Sequence, residues 1–180
     1  MASSHPDLAR LLDPAFLDGI GTASLDDLRE RRAACQEAEV GLSYLRRLAQ
    51  GRLDIVHASL GRLDDGSGPG LAELVDEMPG ILSSGHQRAS GPGHLPLLLA
   101  PDTEDPALTA ELDAVLGADD VGRLASLGPE ELTDIAGALE EFERRVSNER
   151  RLLHEQIDAL QAEVVGRYKA GSASVDGLLR

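Results

Sequence analysis

Apolar residues recur at alternating steps of three and four along two stretches of the chain. The first seam is Leu28, Cys35, Ala38, Leu42, Leu45, Ala49, Leu53, Val56, Leu60 and Leu63; the second is Leu132, Ile135, Leu139, Phe142, Val146, Leu153, Ile157, Leu160 and Val164. That rhythm predicts two amphipathic helices that bury one stripe each against a partner helix. The first opens at Ser24 with Asp26 and Asp27 in its opening turn, an N-cap with acids at the positive dipole end, and stops before the turn formers of 65–70. The second opens with Gly128, Pro129, Glu130 and Glu131 and ends before the GSAS at 171–174. At 1.5 Å per residue each is roughly 60 Å long, more than an ordinary globular helix and the length of a coiled-coil strand. Both seams slip at the same place, Ala49 to Leu53 and Leu153 to Ile157, as a stutter does.

The rest of the chain frames these helices. Residues 1–23 read as an N-terminal segment with a short helix, 24–64 as the first long helix, and 129–169 as the second, followed by a tail at 170–180. Residues 65–128 form an acidic connector with short helices expected near 71–78 and 106–116 and a flexible loop near 83–94, where Gly, Ser and Pro accumulate. The expected fold is all-α: two long helices packed as an antiparallel coiled coil, with short accessory helices and a flexible loop.

Composition narrows the classes of function. The chain has 180 residues, one domain's length, with 2 Tyr, 2 Phe and no Trp, so its core rests on Leu, Ala and Val, which suit helix packing. Its single cysteine excludes a disulfide scaffold and fits a reducing cytoplasm. No apolar run approaches the ~18 residues of a membrane span, and the opening MASSHPDLAR lacks the signature of a signal peptide; the expected location is cytoplasmic. With 17 basic and 32 acidic side chains the net charge is −15, which argues against direct binding to DNA or to an anionic membrane. Sixteen of the basic residues are arginine. No G-x-S-x-G, P-loop or strand-borne GxGxxG motif is present and no Cys/His cluster has metal spacing, so neither an enzyme nor a metal site is expected.

The charge is unevenly placed. Residues 24–64 hold seven acids and seven bases, residues 65–128 eleven acids and two bases, and residues 129–168 ten acids and five bases. The two helical blocks also align with each other. A shift of 104 residues superposes them without a gap, placing Leu28 on Leu132, Glu39 on Glu143, Ser43 on Ser147, Arg46 on Arg150, Arg47 on Arg151 and Asp54 on Asp158. Heptad patterning explains recurring leucines; it does not explain Glu, Ser, Arg and Asp at the same offsets off the seam, so the helices are a duplication.

On a helical projection Glu39, Ser43, Arg46, Gln50 and Asp54 lie within an arc of about 80°, centred roughly 100° from the leucine seam. Glu143, Ser147, Arg150, His154 and Asp158 form the equivalent strip on the second helix. Parallel helices would send the two strips to opposite faces. Antiparallel helices, related by a twofold perpendicular to the bundle, bring both to one face, where they can grip a single ligand of twofold symmetry; this arrangement is the one expected.

The first strip spells E-x3-S-x2-R-x3-Q-x3-D without departure, and the second matches at four of five positions, with His154 in place of glutamine. This double strip resembles the cyclic-di-GMP signature of the RsiG family of actinobacterial anti-sigma factors, over about eighty residues. The resemblance implies a coiled coil that binds two molecules of cyclic-di-GMP through these ten residues. It further implies that the loaded protein holds a WhiG-type sporulation sigma factor inactive and releases it when the second messenger falls.

The side-chain chemistry is compatible with such a ligand. Arg46 and Arg150 are planar forks suited to guanine O6 and N7 or to a phosphate, or to stacking on a base. Asp54 and Asp158 can accept from the N1–H and N2–H2 edge of guanine; Glu39 and Glu143 can do the same or orient the arginines. Ser43 and Ser147 are short donors that let a nucleotide approach the helix. Gln50 both donates and accepts, which His154 does only as the neutral ring. The competing expectation is a ligand-independent coiled-coil adaptor, in which each strip is a solvated polar face.

Overall fold

The computed structural model describes residues 6–64 and 105–170, and every regular element among them is helical. In chain order these are α1 (Pro6–Leu12), a 3₁₀ turn (Pro14–Leu17), α2 (Leu25–Asp64), α3 (Pro106–Val115), a 3₁₀ segment (Ala118–Ser126) and α4 (Pro129–Lys169). The helix expected near 71–78, the loop near 83–94 and the tail after 170 lie outside the described residues.

Each helix start is set by its own residues. The Ser24 hydroxyl accepts the backbone N–H of Asp27 at 3.1 Å and opens α2. Asp105 accepts from Ala107 and Leu108 at 2.9 and 3.3 Å and opens α3, with Pro106 at the first helical position. Gly128 has no side chain to cap α4; instead the Glu131 carboxylate turns back to accept the Gly128 N–H at 2.9 Å.

α2 and α4 are antiparallel. Cys35 meets Gln156, Gln50 meets Glu143, and His57 lies against Glu140, so partners descend on one helix as they ascend on the other. Between the long helices the core is built on the predicted seam: Leu28, Cys35, Leu45, Val56, Leu139, Val146 and Leu160 are fully shielded from water, while Ala38, Leu53, Leu60, Ile135 and Ile157 are partly buried. Leu63, read as a seam residue, is 38% exposed, because it stands in the last turn of α2 beyond the packed part of the stripe. In the core Cys35 occupies the place that Leu139 holds in the other copy; burial pushes its thiol up to about 11, and the thiol lies 3.7 Å from the side-chain amide oxygen of the buried Gln156.

The short elements extend the duplication beyond the long helices. The same 104-residue shift carries Leu8 onto Leu112, Leu12 onto Leu116, Leu17 onto Val121 and Ile20 onto Leu124, all of them part of or packed against one core. Each copy is therefore a short helix, a 3₁₀ turn and a long helix. The two short helices are tied down in matching ways: the Gln156 amide donates to the Asp13 carbonyl at 3.4 Å, and its repeat mate Arg52 donates to the Leu116 carbonyl and the Asp113 carboxylate, both at 2.6 Å. On the helical projection Arg52 and Gln156 lie on the flank of the seam away from the Glu–Ser–Arg strips. The accessory helices thus dock on one side of the hairpin and leave the strips on the other.

Candidate functional site

The strips meet crosswise. Glu39 on α2 accepts the Ser43 hydroxyl one turn along its own helix at 2.7 Å, and takes the Nε of Arg150 on α4 at 2.6 Å. His154 Nε2 lies 3.3 Å from the same carboxylate oxygen, Oε1. Glu143 on α4 repeats the pattern: its Oε1 accepts from Ser147 at 3.0 Å and from the Gln50 amide at 3.0 Å, and lies 3.6 Å from Nη1 of Arg46. Each glutamate is thus bound by its own serine and by the arginine of the other copy. Antiparallel packing dictates this, because the twofold brings residue 39 opposite 150 and residue 143 opposite 46.

His154 takes the place of Gln50 in space as well as in sequence. Both put a nitrogen against the glutamate Oε1 of the facing helix, the amide at 3.0 Å and the ring at 3.3 Å. The halves are not identical. The Arg150 pair is a short contact through Nε, whereas Arg46 keeps its distance and its own Nε is buried without a hydrogen-bond partner.

The carboxylate side chains of Glu39 and Glu143 are only 19% and 24% exposed. Burial pushes the Glu39 carboxyl up, but the hydrogen bonds from Arg150 and Ser43, with the charges of Arg150 and His154, outweigh it and hold Glu39 below its ordinary 4.5. Among the described residues, every side-chain hydrogen bond and ion pair made by Glu39, Ser43, Arg46, Gln50, Glu143, Ser147, Arg150 and His154 is with another of the eight. These contacts go to Oε1, leaving Oε2 of each glutamate as an acceptor. Asp54 and Asp158 stand apart: both are exposed and neither pairs with a described residue. Arg151 turns to Glu155 at 2.6 Å on its own helix.

The result is one face, several turns long, with two interhelical carboxylate–guanidinium clusters at its centre and an open carboxylate on each helix beyond them. Such a face can offer planar cations and acceptors, in twofold repeat, to a ligand carrying anionic groups and paired N–H donors. Outside the ten strip residues, His57 lies 3.9 Å from Glu140 across the two helices. Among the described residues no group of three or more His, Cys, Asp or Glu side chains is placed to hold a metal, and no helix is long and apolar enough to cross a membrane.

A family model described as RsiG-like matches residues 14–82 and 118–180, most of the chain. The two matched stretches begin 104 residues apart, the same shift that relates the two copies. No curated protein matches the chain.

Proposed function

The chain belongs to the RsiG-like family, which points to a role of the anti-sigma-factor type, and from that premise we propose that it is a cyclic-di-GMP-dependent anti-sigma factor. In this reading two molecules of cyclic-di-GMP lie on the face shared by α2 and α4. The loaded protein then sequesters a WhiG-type sporulation sigma factor and blocks transcription. The observation that carries the reading is the twofold repeat of Glu, Ser and Arg on a single face, which suits a ligand that is itself a pair.

Arg46 and Arg150 supply the contacts to guanine edges or phosphates. They are positioned beforehand by Glu143 and Glu39, and reach the ligand through guanidinium N–H groups not spent on those carboxylates. Asp54 and Asp158, exposed and without a pairing partner among the described residues, accept from the N1–H and N2–H2 edge. The sigma factor's basic DNA-binding surface meets a chain of net charge −15, and its loss of promoter DNA follows from that competition.

Thermal unfolding tests the proposal. At a hundredfold excess of cyclic-di-GMP over Kd, native-state binding adds about 2.7 kcal/mol, a rise in Tm of roughly 5–10 °C for a chain of this size. An unchanged Tm at saturating micromolar nucleotide overturns it. The ligand-independent adaptor is favoured by one observation, that the central strip residues already satisfy one another; the same melt decides between the two.

A further inference from the structure

We propose that His154 makes the site proton-linked. Protonation of its ring strengthens binding of the anionic ligand at the half built on Glu39 and Arg150, while the half built on Glu143 and Arg46 is indifferent to pH. The inference rests on the nucleotide-binding reading above.

It follows from the one difference in residue type between the two strips. Gln50 and His154 present nitrogens to equivalent carboxylate oxygens. An amide is neutral at every pH, whereas histidine is the side chain whose ordinary ionisation falls between pH 5 and 8. The charged groups facing the ring are few. From α2 there is Glu39, whose Oε1 is shared with Arg150. On α4 itself Arg150 and Asp158 stand one turn to either side, while Arg151 and Glu155 pair with each other at 2.6 Å. α1, its 3₁₀ turn and α3 also pack on α4, and among the described residues none of their charged side chains pairs with His154; Glu111 and Asp113 of α3 pair with Arg145 and Arg52.

With the ring neutral, the ten strip residues set four carboxylates against two guanidiniums. Into this face must come two ligand molecules, each with two singly charged phosphates. A charged ring neutralises Glu39 at 3.3 Å and adds a cation beside Arg150, so both the repulsion and the deficit of positive charge fall. By linkage the protein then takes up a proton, on His154, as the ligand binds, and affinity rises as pH falls.

The test is isothermal titration of the full chain with cyclic-di-GMP between pH 6 and pH 8, in buffers of different ionisation heat, for the parent protein, His154→Gln and His57→Gln. His57 is the control: it too lies against a carboxylate across the helices, Glu140, but outside the ten strip residues. The parent and His57→Gln are expected to bind roughly three- to tenfold more tightly at pH 6 than at pH 8, with uptake of up to one proton. His154→Gln is expected to show neither slope nor uptake. A parent profile without slope, a slope kept in His154→Gln, or a slope lost in His57→Gln overturns the inference and leaves nucleotide binding standing. No binding by any of the three proteins at any pH overturns the nucleotide reading and this inference with it.

Discussion

At the scale of the residue, Glu39 and Glu143 each gather three partners on one oxygen; for Glu39 they are a serine, a guanidinium and an imidazole. Because the Glu39 carboxyl titrates lower in the folded protein than in the unfolded chain, the unfolded state binds more protons in that range. The stability Glu39 contributes is therefore complete above its ordinary 4.5 and is lost as pH falls through the lower folded value. Glu39→Gln keeps the shape and removes the charge. At pH 7 it should cost about 1–3 kcal/mol in urea unfolding, because Arg150 loses its ionised partner. Its stability should also decline less steeply than the parent's between pH 5 and pH 3. Equal decline in the two proteins would show that the Glu39 cluster contributes nothing to acid sensitivity.

At the scale of the element, α2 and α4 are held by apolar side chains of which the most shielded come from the predicted seam, and the cost of truncation should follow burial. Leu139→Ala empties a fully buried position and should lower stability by about 2–5 kcal/mol. Leu63→Ala, at the frayed end of the same pattern, should cost less than about 1 kcal/mol. Denaturant midpoints for the two variants make the comparison. The long helices were legible because their signals are local: Ser24, Pro129 and the three-and-four rhythm each act within a few residues. The Leu63 misreading has the same origin, since a periodic pattern does not register where its partner runs out. The short helices were harder to pair, because α1 and α3 share little beyond Leu8 with Leu112 and Leu12 with Leu116. At the site, projection around one helix axis placed Glu39, Arg46 and Gln50 on one strip. It said nothing of what stands across from them, so the exchange of arginines between copies had to come from the packing.

At the scale of the whole molecule, two copies of a short helix, a 3₁₀ turn and a long helix close into one hairpin, with accessory helices on one flank and the charged strips on the other. A chain of net charge −15 that captures a basic partner should do so with strong salt dependence. Under the proposed function, a WhiG-type sigma factor should co-purify with the protein when cyclic-di-GMP is present at about 0.1 M salt. It should be recovered several-fold less well at about 0.5 M, as screening shortens the reach of the charges. Equal recovery with and without nucleotide would separate sigma capture from the second messenger.

The exchange of partners between the copies also makes the face a gauge of helix register. Slide α4 by one heptad and Glu39 stands opposite Ser147 or Gln161 in place of His154, while Arg150 faces no carboxylate of the first strip. The seam, a repeat of similar apolar side chains, tolerates such a slip far better than the strips do. Only the in-register hairpin assembles the clusters, so a ligand that needs them proofreads the pairing of the two helices each time it binds.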